Sequence, residues 1–219
     1  MKKITGMFVL LAMGSMAVSP VMASDWNNYR VTITNATSHH VITPPLIVVH
    51  NKRFKLFEVT EAASDGLATQ AETGSPADLY NEVAGAKGVY DVITGSNVIV
   101  YGNKATFEIR APKKAMISMS AMLATSNDAF TAISGKALPK KSVTYMATTY
   151  DAGSEYNNEN CAFVPGPPCA EDSGNARATE GAEGFVTIHS GIKGGSDLNP
   201  AHLDWRGATS IVSITRIDG

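Results

Sequence analysis

Tyr29-Arg30-Val31-Thr32-Ile33-Thr34-Asn35 is a strict alternation: Tyr29, Val31 and Ile33 fall on one side of an extended chain, Arg30, Thr32 and Thr34 on the other. Such a segment buries one face and wets the other, as a strand of a half-covered antiparallel sheet does. Runs of the same character recur at residues 46–51, 97–101, 105–110, 115–124, 142–150, 185–190 and 209–217, each bounded by Gly, Pro, Asn or Asp. Their spacing and frequent turn residues favour an antiparallel β-sandwich over alternating βαβ units. Residues 64–85 depart from the pattern: Ser75 as N-cap, Pro76 at the first helical position and Asp78 in the first turn set up a helix ending near Gly85. Residues 130–133 form a short apolar segment, followed by a turn-like stretch at 135–141. The expected fold is mainly β, a sandwich with short helices in its connections.

The rest of the sequence fits one folded domain. Its 219 residues are 44% hydrophobic and only 17% charged, which excludes disorder and coiled coil. Net charge is −2 and no Lys/Arg stretch forms a basic stripe, so nucleic acid is not an expected partner. Residues 1–23 open with Lys2 and Lys3, continue through an apolar run and end at Val21-Met22-Ala23, the pattern of a secretory signal peptide. The apolar run is shorter than the ~20 residues of a membrane-spanning helix and is interrupted by Ser15, Ser19 and Pro20. The expected mature domain is 24–219, exported to the periplasm or secreted, with no transmembrane segment. Outside the reducing cytosol, Cys161 and Cys169 of the segment CAFVPGPPC are expected to form a local disulfide. With Pro165, Pro167 and Pro168 already stiffening the loop, that bond adds on the order of 2 kcal/mol at most. Its role is to shape the long polar stretch 153–182.

Two acidic loops carry the strongest chemical signal: Ser126-Asn127-Asp128 after one strand, and Asp151-Ala152-Gly153-Ser154-Glu155 after another. The intervening chain goes down and up again, so both can return to the same end of the sheet. Carboxylates converging in open loops repel one another unless a hard cation neutralises them, and an oxygen-only set favours Ca²⁺ over Mg²⁺. Spacing alone favours Asp128, Asp151 and Glu155 as solvated turn residues. His39, His40, His50, His189 and His202 are candidates for a transition-metal site, although adjacent His39 and His40 would point to opposite faces of an extended chain. Met116, Met119 and Met122 alternate faces on a strand, which places Met119 with Ile117, Ala121 and Leu123 in a core. Ser190, His189 and Asp197 are close in sequence but lack a nucleophile elbow, and read better as a turn pinned by Asp204-Trp205, with Trp205 mostly buried.

The loop TTYDAGSE, the segment Glu183-Gly-Phe-Val-Thr-Ile-His-Ser-Gly-Ile192, Gly195-Ser-Asp-Leu198, the pair Asp204-Trp205, the final strand, the opening YRVTITN and the segment SAMLATSND together resemble the spondin N-terminal domain. The resemblance implies a β-sandwich similar to C2 domains, found in extracellular-matrix and cell-adhesion proteins, with no known catalysis. It also implies one structural Ca²⁺ held by loop carboxylates, which by matched motif are Asp128, Asp151 and Glu155. Ala129 replaces a Trp usual in that family, and IHSGIK replaces IHPGIH, giving Ser190 and Lys193. The expected function is therefore an exported calcium-binding module that serves adhesion or matrix contact through a protein or surface partner. The alternatives are a small periplasmic hydrolase or a histidine-based transition-metal binder.

Overall fold

The computed structural model describes residues 26–169 and 176–218; the expected signal peptide lies outside them. Among these residues nine strands join into one antiparallel sheet, and its path is dictated by which runs can bury a face. The opening alternation extends to β1, Trp26–Asn35, with Tyr29, Val31 and Ile33 inward. It lies between β4, Lys104–Pro112, and β9, Ser210–Arg216, in the registers Val31↔Phe107 and Val31↔Ile214. Beyond β9 comes β7, Ser142–Asp151.

β7 makes the sandwich corner. Its first half, Ser142 to Ala147, pairs with β9; its second half, Thr148 to Asp151, pairs with β6, Ala129–Ala137. From β6 the sheet continues through β5, Met116–Met122, and β2, Leu46–His50, to an edge at β3, Val89–Thr94. A two-residue β8, Thr187–Ile188, adds to the end of β7. The main core fills the space between the halves, with Val31, Ile33, Val212 and Ile214 from one and Ile47, Val49, Ile117 and Met119 from the other.

A second apolar layer explains why β2 is buried along its whole length. Leu46 and Val48 point away from the main core, into a cluster with Phe130 and with Leu67, Ala71, Leu79 and Val83 of two helices. These are α1, Asp65–Thr73, and α2, Ala77–Val83. Only α2 was expected. In it Pro76 occupies the N-cap, and the Ser75 hydroxyl accepts the Ala77 N–H at 3.4 Å. The Ser64 hydroxyl caps α1, and left-handed Gly74 (φ 77°) ends it.

Three strand expectations change. In the 97–101 segment only Ile99 turns inward, bridging Ile42, while Val98, Val100 and Tyr101 stay exposed; the edge strand is β3 instead. The 185–190 run shortens to β8 between Gly184 and Gly191, both at positive φ. The short apolar segment at 130–133 and the start of the turn-like stretch form β6. Gly135 (φ 56°) stands at a register shift against β5, where its N–H meets the Ser118 hydroxyl at 2.9 Å. Cys161 and Cys169 are disulfide-bonded as expected. Among the described residues no helix is long and apolar enough to cross a membrane.

Candidate cation site

The β6–β7 register sets the site. Ala129 opposes Asp151, and Ala152 N–H continues the pairing onto the Asp128 carbonyl at 3.2 Å, so the two acidic loops lie side by side at one end of the sandwich. The turn before β6 is tightened by Ser126, whose hydroxyl donates to the Leu123 carbonyl at 2.6 Å and accepts from Ala129 N–H at 3.1 Å. Asp128 is thereby fully buried. Its Oδ2 accepts three bonds from the facing loop: Ser154 N–H at 2.8 Å, Ser154 O–H at 3.2 Å and Glu155 N–H at 3.0 Å. Its Oδ1 accepts none.

Asp151 bends its own loop, taking Gly153 N–H on Oδ1 at 2.7 Å and the Asn157 amide on Oδ2. Gly153 must be glycine: its φ is 68°, and a Cβ there would lie 2.3 Å from the Phe185 carbonyl oxygen. Glu155 is at the same tip, with its backbone N–H on Asp128 and its carboxylate accepting Ala178 N–H at 2.9 Å. The structure thus pairs Asp128 with Asp151 and directs Glu155 Oε1 to the return of the long loop. Among the described residues no three carboxylate, imidazole or thiol side chains converge closely enough to enclose an ion by themselves.

Burial, and then the neighbouring Asp151, push the Asp128 carboxyl up to about 7 against the pull of the Glu155 and Ser154 donors. Asp151 is raised chiefly by burial, with Glu183 adding to it and the Gly153 and Asn157 bonds opposing. Burial, reinforced by Glu72, carries Glu155 to about 7, while Ala178 N–H and Arg177 pull it down. Carboxylates crowded and desolvated in this way demand either a proton or a cation.

The Spondin_N family model matches residues 27–157, which run from β1 through both acidic loops. The chain belongs to the spondin N-terminal domain family. No match is found among curated proteins. The spondin match runs from the second residue of β1 through β7 and ends at Asn157, the residue that holds Asp151 Oδ2.

Asn157 and Glu159 carried no mark in the sequence of this spondin domain, each being a polar residue in a polar loop. Glu159 is buried and gathers three consecutive backbone N–H groups, from Lys193 at 2.5 Å, Gly194 at 2.6 Å and Gly195 at 2.7 Å. The glycines of IKGGSD were the available signal. Their loop, the disulfide and Trp205 pack on Val164, Ile192, Leu198 and Leu203 as a small separate core. Asp204 pins the loop as expected, accepting Ile192 N–H at 3.2 Å. Trp205 is mostly buried, as expected, and its ring packs near those of His40 and His189, at 5.2 and 4.9 Å.

The histidines disperse. His40 meets two backbone carbonyls, of Ala124 and Leu203, and His50 lies between the Asn51 carbonyl and the Ser118 hydroxyl. Exposed His39 and His202 touch edge to face. His189 spends its nitrogens on Asn157 and Gly191, and Asp197 accepts Cys161 N–H, so neither is placed to serve Ser190. Met119 packs in the main core with Ile117, Ala121 and Leu123, as the alternation required.

Proposed function

We infer that this spondin domain is an exported calcium-binding module whose ordered loop end holds a protein or surface partner, with no turnover. One observation carries the reading: Asp128 Oδ1 is buried, has no partner, and belongs to a carboxylate beside Asp151. A native interior rarely leaves such an atom unmet, because its desolvation costs about 1–3 kcal/mol or more when charged. A hard divalent ion meets both the orphaned oxygen and the repulsion. Asp128 and Asp151 would supply the charge, with Glu155 as a neighbouring oxygen donor, and backbone carbonyls and water would complete the flexible oxygen shell that Ca²⁺ accepts.

The ion would neutralise the loop end and tie the 153–182 segment to the sheet. The family and the disulfide support an exported setting, and the family supports an adhesion or matrix role. Thermal unfolding with CaCl₂ and with chelator tests the site. A ligand bound only by the folded state adds about 2.7 kcal/mol at a hundredfold excess over its Kd, so Tm should rise by several degrees with calcium. An identical Tm in both conditions would remove the reading.

A further inference from the structure

Asn157 stands between the two polar centres of the loop end. Its amide N–H donates to Asp151 Oδ2, and its Oδ1 faces His189 Nε2 at 3.1 Å. The other imidazole nitrogen, Nδ1, accepts Gly191 N–H at 2.9 Å. A backbone N–H only donates, so Nδ1 carries the lone pair and Nε2 the proton, which Asn157 Oδ1 accepts. The carboxylate only accepts, so it takes the amide NH₂. Every donor in the chain Asp151–Asn157–His189–Gly191 therefore meets an acceptor in one arrangement alone, and the imidazole is a neutral, single tautomer. His189 then packs on Trp205, and both line an open cleft of about 500 Å³ whose other walls include Met146 and Ile188, apolar side chains left 74% and 66% exposed.

We propose that Asn157 is a positioning residue that couples the cation site to this cleft. An ion drawing Asp151 toward Asp128 pulls on an amide anchored at both ends, and the movement reaches the His189 ring and Trp205, so the cleft floor takes a different shape with and without calcium. The coupling rests on the cation-binding reading of Asp128 and Asp151.

The test uses the full mature chain with Trp26→Phe, which leaves Trp205 as the only indole of the two in the sequence, and calcium chloride as the sole ligand. Trp205 emission and the His189 ¹⁵N resonances should both shift on titration, with the same midpoint as the thermal stabilisation. Asn157→Ala should still be stabilised by calcium, within about tenfold in Kd, while both responses vanish. An Asn157→Ala protein that keeps the responses overturns the coupling. So does a native Asn157 that binds calcium with Trp205 and His189 unmoved, an outcome that leaves the cation reading standing. Absence of any calcium binding removes both. Should Asn157→Ala fail to fold, Asn157→Ser, too short to span both partners, is judged by the same criteria.

Discussion

Asp128 is the residue on which burial and charge conflict most directly. One oxygen is fully used by the 154–155 backbone and the Ser154 hydroxyl, the other by nothing. Asparagine is nearly isosteric, keeps an oxygen for those three donors, and places an NH₂ where Oδ1 stands, free to donate toward Asp151. Asp128→Asn should therefore be more stable than the native protein in chelator at pH 8, by about 1–3 kcal/mol, and should lose the calcium-induced rise in Tm. Paired denaturation curves check both; a destabilised Asp128→Asn in chelator would mean that Oδ1 has a partner. The pairing of Asp128 with Asp151 was legible in the sequence, because counting strands between two loops fixes which end each occupies. Asn157 was not legible, since its bond to Asp151 is made within a polar loop that shows no periodicity.

Among the elements, β1, β4, β7 and β9 were legible for a physical reason: one face dry and one wet imposes a period of two that sequence records directly. β2 was found from its apolar run, although only the structure shows that Leu46 and Val48 face helices. β3 lies at an edge with partly exposed side chains, and β6 is a run buried on both faces for five residues and then interrupted by Gly135, so neither has a clean pattern. Helix α1 is polar overall, and its signals were the caps Ser64 and Gly74 rather than an apolar stripe. The β7–β8 corner depends on Gly153, where the left-handed backbone and the Phe185 carbonyl both exclude a side chain. Gly153→Ala should cost more than about 2 kcal/mol, exceeding the 1–2 kcal/mol of a left-handed non-glycine residue because the loop must also move. It should weaken calcium binding as well, which calorimetry would show; an unchanged Kd would separate the turn from the site.

Across the whole molecule, two sets of buried groups set opposite pH dependences. Burial, with Lys193 and His40 adding, lowers His189 to about 4, and burial also lowers His50. Their folded-state affinity for protons is thus below the roughly 6.5 of an unfolded histidine. Their stabilisation is full above that pH and is lost on acidification, for His189 as pH falls toward 4. Asp128 and Glu155, raised to about 7, behave the other way without a cation: the folded state binds more protons than the unfolded one between roughly 4 and 7. Their folding penalty is therefore full above about 7 and fades on acidification. Calcium competes with those protons, so the difference in Tm between calcium and chelator should be largest near pH 8 and shrink steadily to pH 5. A difference that is constant, or that grows on acidification, would show that the ion binds elsewhere.

Because β7 gives its first half to one ladder and its second half to the other, the two halves of the sandwich share one unbroken backbone on that side and part only between the edges at β3 and β4. A tensile load entering at the Asp151 end would travel along that strand and be resisted as shear by β6 and β9 together. In the anchoring role proposed above, mechanical strength would then be greatest along the axis that ends at the acidic loops.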